Sequence, residues 1–294
     1  MLKPSQHLDL FKLTFGNFLS SAWQLRESRL HQAIRYCLEG DGKRVRGLMC
    51  MLTCEAFGKD PRLALSSATA VEMIHAYSLA HDDLPCMDND DWRRGKPSLH
   101  KAFDQATALL AGDAILTDGI RVLADADFYP FGHFVGDSDK IKLVGELTLA
   151  AGGQGMVCGQ DLDMYWTGKG SCDLATLDRI HAGKTGALMG AACSMGAISA
   201  GASPDQVLAM RKFGISVGLA FQAIDDLLDA ASVTGKSAGK DKSQGKLTYL
   251  ALFSEEDIRT KARNITSEAQ KGLPAGIDSE KLVRFVEELV FRIK

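Results

Sequence analysis

Two clusters of aspartate stand far apart in the chain, Asp82-Asp83-Leu84-Pro85-Cys86-Met87-Asp88-Asn89-Asp90-Asp91 and Gln222-Ala223-Ile224-Asp225-Asp226-Leu227-Leu228-Asp229. So many acids close together repel one another, and a compact fold that holds them needs a counter-ion. A hard divalent cation that takes oxygen ligands fits best. Arg93 and Arg94 follow the first cluster directly. Carboxylates that hold Mg2+ beside guanidinium forks that grip an anion bidentately read as a metal-bridged phosphate site. A solvated acidic loop would explain one such run, but a second aspartate cluster reverses that preference.

Spacing assigns the two clusters different geometries. On a helix Asp225 and Asp229 share a face, and Gln222 lies one turn before Asp225 and Asp226. Their neighbours Phe221, Ala223, Ile224, Leu227 and Leu228 are apolar, so this helix is expected to be largely buried, where unpaired carboxylates are costly. Asp82 and Asp88 would sit about 120° apart on a continuous helix. Pro85 disfavours helix at Leu84, so the chain can turn there and bring Asp88 back toward Asp82 and Asp83. His75 precedes Asp82 by two turns on the same face, and Gly42-Lys43-Arg44-Val45-Arg46-Gly47 sets three cations just ahead of an apolar helix.

The elements that must position these residues are helical. The chain has 294 residues and seven prolines, few alternating runs, and long stretches of apolar residues at three- and four-residue spacing, which predict an all-α fold. A single helical bundle over 1–294 is expected, since the length suits one large core. The spacing predicts helices over about 7–21, 24–38, 48–57, 61 to Pro85, 99–124, 138–165, 173–200 and 204–232. Two terminal helices follow, the first opened by Ser254 with Asp257 three residues on, as in a capping box. The many glycines around 151–159 and 190–201 imply close helix packing or kinks. Residues 235–248, rich in glycine and lysine, break the periodicity as a lid would.

Composition narrows the function classes. A net charge of -3 gives no broad basic surface, so nucleic acid is not an expected partner. Seven cysteines without a CxxC pair indicate neither a disulfide framework nor a zinc ribbon, and suit a reducing cytoplasm. No leader pattern and no run of eighteen apolar residues is evident, so a soluble protein with no membrane span is expected. Gly183-Lys184-Thr185 ends like a phosphate loop, but Asp178 stands where its first glycine belongs. Asp88 to Arg93 begins like a calcium loop, yet Trp92 and Arg93 occupy positions that want a ligand and a glycine. There is no GxSxG or HExxH.

The chain resembles the trans-isoprenyl diphosphate synthases, the polyprenyl synthetase family, and most of all bacterial farnesyl diphosphate synthases. The resemblance rests on GKRVRG at 42–47, HAYSLAHDDLPCMDNDDWRRGKPS at 75–98, GKTG at 183–186, FQAIDDLLD at 221–229 and GKLTY at 245–249. It implies that Asp82, Asp83, Asp88, Asp225, Asp226 and Asp229 bind Mg2+, with three ions per site and Mn2+ as a substitute. Gly42, Lys43, Arg46, His75 and Arg94 would bind isopentenyl diphosphate. Arg93, Lys184, Thr185, Gln222, Lys240 and Lys246 would hold or cover the allylic diphosphate.

The same resemblance implies a homodimer that makes farnesyl diphosphate by ionisation, condensation and proton loss, with geranylgeranyl or geranyl diphosphate as the alternative product. Tyr77 and Ser78 stand where the family sets the depth of its chain pocket, and a bulky tyrosine there matches the farnesyl enzymes. Two departures bear on this: Gly47 replaces a usual proline and is expected to loosen a turn, and Ala80 replaces a larger aliphatic and would enlarge space near the pocket. A terpene cyclase would not need Lys43, Arg46 and Arg94, and a non-catalytic partner subunit would not need intact aspartates in both clusters.

Overall fold

The computed structural model describes residues 4–25, 27–40, 42–131, 135–170, 172–231 and 247–291, with the backbone alone for Pro4 and residues 229–231. Lys240, Lys246, most of the lysine-rich 235–248 stretch and the side chain of Asp229 therefore lie outside the described residues. The helices are α1 Pro4–Ala22, α2 Arg29–Leu38, α3 Val45–Ala56, α4 Leu65–Asp82, the short α5 Leu99–Ala102, α6 Gln105–Ala124, α7 Asp137–Ala151, α8 Met156–Trp166, α9 Leu174–His181, α10 Ala187–Ser199, α11 Pro204–Ala231, α12 Glu255–Lys271 and α13 Glu280–Phe291. The fold is all-α.

Burial follows composition. α10 is buried around its whole circumference from Leu188 to Ser199, as an apolar helix without a polar face must be. It is the axis of the bundle, packed against α11, α3, α7 and α4, while α4 lies along α6 and α11 along α12. Small residues let these backbones meet. A Cβ at Gly196 would stand 2.3 Å from the carbonyl oxygen of Cys50, so only glycine fits where α10 crosses α3. α11 is long and apolar enough over Pro204–Leu228 to cross a membrane by length and composition, a property not evident from counting apolar runs; here it packs on α10 and α12.

The helices differ from the sequence expectation at their interruptions. The 138–165 pattern divides into α7 and α8, because Gly152, Gly153 and Gly155 break it. Residues 173–200 form α9 and α10 joined by a π-helical turn, Ala182–Gly186. Phe103 ends α5, and Asp104 caps α6 by accepting from the backbone N–H (2.7 Å) and hydroxyl (2.9 Å) of Thr107. Pro61–Ala64 is a 3-10 turn before α4, capped by Asp60, which accepts from Arg62 N–H at 2.9 Å. Ser254 and Asp257 do form the capping box of α12.

Gly47 does not loosen a turn. It lies in the first turn of α3, where backbone N–H groups lack helical partners, and its N–H donates to Glu72 Oε1 at 2.9 Å. A proline there would have no hydrogen to give. The buried Glu72 carboxylate also faces Arg44 at 3.8 Å.

Overpacking at a helix crossing costs about 1–3 kcal/mol. Gly196→Ala is expected to lower the thermal midpoint by several degrees, whereas Gly40→Ala, where an added Cβ meets nothing within 4 Å, should leave it unchanged. Equal midpoints for the two variants would refute the crossing as described.

Candidate active site

α4 ends at Asp82, and the chain folds back over its own C-terminus. Asp88 N–H donates to the Asp82 carbonyl at 2.8 Å, Asn89 N–H to Leu84 at 3.1 Å and Asp90 N–H to Asp83 at 3.2 Å. Asn89 takes the left-handed conformation (φ +50) that this reversal requires and that asparagine tolerates better than most residues. Asp88 is thereby returned to Asp82. Burial pushes the Asp82 carboxyl up to about 6, Lys184 opposes the shift, and Asp88 adds to it. No protein donor hydrogen-bonds the Asp82 carboxylate among the described residues.

Asp83 faces the other way. Only 2% exposed, it accepts from Arg93 Nε through both oxygens, at 3.0 and 3.2 Å, and from Arg93 Nη2 as well. Burial raises its carboxyl and Arg93 pulls it back. Arg93 belongs to a hairpin that helical reasoning did not foresee, with strand β1 Trp92–Arg93 antiparallel to β2 Lys96–Pro97. The two-residue turn has φ +53 at Arg94 and +79 at Gly95, the positive pair that a type I′ hairpin demands.

This turn sends Arg94 toward the glycine and lysine loop. A Cβ at Gly42 would come within 3.0 Å of Arg94 Nη1, so the guanidinium rests on bare backbone. Arg44, left-handed at φ +49, is buried and donates to the carbonyls of Leu38 (2.8 Å) and Gly40 (3.0 Å). It anchors the loop. Burial lowers Arg46 to about 10, with Glu72 opposing and Arg94 reinforcing the shift. Its Nε is buried and has no hydrogen-bond partner among the described residues. Burial, then Arg46 and Arg94, drive His75 well below its ordinary range, so it is neutral. Lys43 is exposed at the rim. Cations crowded together, one with an orphaned donor, define an anion pocket.

The second cluster lies on α11. Gln222 accepts from the Thr185 hydroxyl at 3.1 Å and donates to Asp226 Oδ1 at 3.0 Å. The other Asp226 oxygen accepts from Tyr249 N–H at 2.9 Å. The Tyr249 hydroxyl donates to Asp178 at 2.5 Å, and Lys261 donates to the same carboxylate at 3.2 Å. Asp226, like Asp83, is therefore spent on protein donors through both oxygens. Asp225 is half-buried beside it. Lys184 and Thr185 are presented by the π-helical turn, and Lys184 Nζ pairs with Asp163 of α8 at 2.5 Å. Lys184 thus acts electrostatically on Asp82 while its neighbour Thr185 bonds Gln222, which places it between the two clusters.

Several residues here escaped sequence reasoning: Asp163, Asp178, His181, Tyr249 and Gln160, whose amide atoms are buried without partners among the described residues. Gln160 and Asp163 stand three apart on one helix, a faint signal. Asp178 and Tyr249 are joined only by the fold. Tyr77 is buried and meets the His81 ring, while Ser78 turns its hydroxyl onto the His75 carbonyl at 3.0 Å.

Among the described residues no three Asp, Glu, His or Cys side chains converge as a complete metal cage. Mg2+ does not need one, since it binds through one or two carboxylates, waters and substrate phosphates. Asp82 fits that use, being half-buried, repelled by Asp88 and without a hydrogen-bond donor among the described residues. All-oxygen donors beside lysine and arginine suit Mg2+ and not a thiolate-seeking metal.

An all-helical body with two aspartate clusters about a lysine, and a separate arginine pocket, is an isoprenoid synthase fold. A polyprenyl synthetase family model matches residues 27–281, and the chain belongs to that family and is a prenyltransferase. It is 44% identical over 270 residues to a heterodimeric geranylgeranyl pyrophosphate synthase large subunit of Arabidopsis thaliana, covering 90% of this chain and 72% of that one. It is 42% identical over 267 residues to a farnesyl diphosphate synthase of Geobacillus stearothermophilus, covering 90% and 88%. A geranyltransferase of Helicobacter pylori, solved with magnesium and isoprenyl diphosphate, superposes with a TM-score of 0.77 at 26% identity, over 98% and 96% of the two chains.

An arginine pocket that works without metal can be tested with inorganic diphosphate. Calorimetry in the presence of a chelator is expected to show residual binding that Arg46→Ala or Arg94→Ala weakens about tenfold or more, as lost charge-assisted hydrogen bonds would. Residual binding that both variants leave intact would refute the pocket.

Proposed function

We propose that the protein is a Mg2+-dependent farnesyl diphosphate synthase that joins isopentenyl diphosphate head-to-tail to dimethylallyl or geranyl diphosphate. It acts as one catalytic domain, as a cytoplasmic homodimer. The observation that carries this reading is the coexistence of a metal-type aspartate site with a second anion pocket at Arg46 and Arg94. A cyclase needs only the first.

Bound Mg2+, three ions with Mn2+ as substitute, supplies charge neutralisation for a departing diphosphate. The aspartates of both clusters would hold the ions, with Asp82, Asp88, Asp225 and Asp229 as ligands and with Asp83 and Asp226 also bracing the frame through Arg93, Gln222 and Tyr249. Lys184 and Arg93, with Lys240 and Lys246, take the diphosphate charge. Thr185 and Gln222 present oxygens beside the reacting carbon, where they favour positive charge. Lys43, Arg46 and Arg94 hold isopentenyl diphosphate so that its double bond meets the allylic carbon, and neutral His75 adds a hydrogen bond without further positive charge. Once the new carbon–carbon bond has formed, a proton leaves the condensed product; no side chain among the described residues is uniquely marked to take it, and the released diphosphate is the base. Apolar helix walls exclude water meanwhile. The magnesium in the Helicobacter pylori structure supports the metal assignment, and exposed Leu109 and Leu110 on α6 with Ile141 and Leu149 on α7 support a dimer face.

Relatives of similar identity carry both farnesyl and geranylgeranyl names, so product length rests on Tyr77. Ala80 lines a cavity of about 40 Å³ together with Tyr36, Cys37, Ala76, Asp83 and Leu99, and the absence of Tyr77 from that lining supports reading the two apart.

With Mg2+, isopentenyl diphosphate and geranyl diphosphate, the main product is expected to be farnesyl diphosphate, and a chelator should abolish turnover. Absence of any elongated prenyl diphosphate would overturn the whole reading; a geranylgeranyl main product would overturn only the length. Tyr77→Ala is expected to lengthen the product, read by chromatography of the dephosphorylated alcohols.

A further inference from the structure

We infer that His81 is a positioning residue for product length, bracing the Tyr77 ring against α6. The inference rests on the reading of Tyr77 as the floor of the chain pocket and extends it to a residue outside that pocket's expected set.

His81 follows Tyr77 by four positions on α4, so the two side chains share a face. Their rings meet edge to face, with centroids 5.7 Å apart and planes at 80°, a favoured aromatic arrangement. The imidazole is itself fixed from outside. Its Nε2–H donates to the Leu109 carbonyl at 3.0 Å. It also fills a notch in α6 that exists only because residue 112 is glycine: a Cβ there would lie 2.0 Å from Nε2 and 2.4 Å from Cδ2. Asp113 Oδ1 stands 3.8 Å from the same nitrogen.

These contacts form a chain of constraint. α6 holds His81, His81 restricts the rotamers open to Tyr77, and α4 fixes the rise from Tyr77 to Asp82. Product length in such an enzyme depends on the distance between the diphosphate and the first side chain that blocks the growing tail. A tyrosine free to swing would block poorly. One held by a ring anchored on a neighbouring helix would block at a defined depth.

The test compares the ratio of geranylgeranyl to farnesyl product in wild type, His81→Ala, Gly112→Ala, Tyr77→Ala and the double variant His81→Ala/Tyr77→Ala. A ratio is insensitive to the amount of folded enzyme, so a merely structural role would not move it. The expected result is a rise of about tenfold in His81→Ala, the discrimination that a small misfit in an apolar pocket carries. The same direction is expected in Gly112→Ala, where the new methyl displaces the ring without removing it and which serves if His81→Ala does not fold. The double variant should match Tyr77→Ala, because a brace has nothing left to hold. If Tyr77→Ala lengthens the product while His81→Ala and Gly112→Ala do not, the positioning role falls and the floor stands. Additive shifts in the double variant would likewise overturn it, since His81 would then shape the pocket by itself. An unchanged ratio in Tyr77→Ala removes the floor, and the brace with it.

Discussion

Repulsion between carboxylates in a poorly solvated space is the constraint on which the rest of this molecule depends. Asp82 is held where burial lifts its carboxyl to about 6, beside Asp88 returned to it by the turn at Pro85. Such a group is tolerable only if a cation is near, and the charge of Lys184, on the π-helical turn between α9 and α10, favours its ionised form. A regular helix there would place the backbone of residues 182–186 differently; π turns of this kind recur at functional sites. The bundle therefore sacrifices helical regularity, at 182–186, at the 82–90 reversal and at the left-handed Arg44, Asn89 and Arg94, to bring charges of opposite sign within range.

Within each aspartate pair the work is divided. Asp83 is closed off by Arg93 and Asp226 by Gln222 and Tyr249, so the second member of each pair fixes an element: the hairpin in one case, the 247–249 segment in the other. The first members, Asp82 and Asp225, occupy the adjoining helical position. A buried carboxylate bonded to several donors is rigid, and adjacent residues on a helix cannot move independently. Each pair thus sets a carboxylate bonded through both oxygens beside a neighbour that is only half-buried. Arg93 and Arg94 repeat the scheme, since the first is tied to Asp83 and the second is turned to the anion pocket.

Much of this was legible in the sequence, for identifiable reasons. Helix periodicity gave the class of fold, and proline chemistry correctly anticipated the return of Asp88. What could not be read were interactions between residues remote in sequence. Tyr249 and Asp178 have no local relation, and Lys184 meets Asp163 because α8 crosses the π-helical turn so tightly that a Cβ on Gly159 would lie 2.1 Å from Lys184 N. The hairpin at 92–97 is not legible in the sequence because two-residue strands carry no periodicity, although Arg94-Gly95 is an acceptable I′ turn. The periodicity runs on through 152–155 and 182–186, where the chain breaks and where glycines compatible with either packing or a kink do not say which.

The two departures from the family pattern show how local exceptions are absorbed by tertiary context. Glycine in place of proline at 47 brings an N–H into the first turn of α3, and an unpaired N–H in that buried place would be destabilising. Glu72 accepts it, and the same carboxylate balances Arg44 and Arg46, so the substitution ties the loop that carries the cations to α4, which carries His75 and Asp82. Alanine at 80 has the opposite character. It borders a cavity that is also lined by Tyr36 and Cys37 of α2 and by Arg93 and Arg94 of the hairpin. The faces of α4 therefore answer to different neighbours, with Tyr77 and His81 turned toward α6 and Ala80 toward α2 and the hairpin.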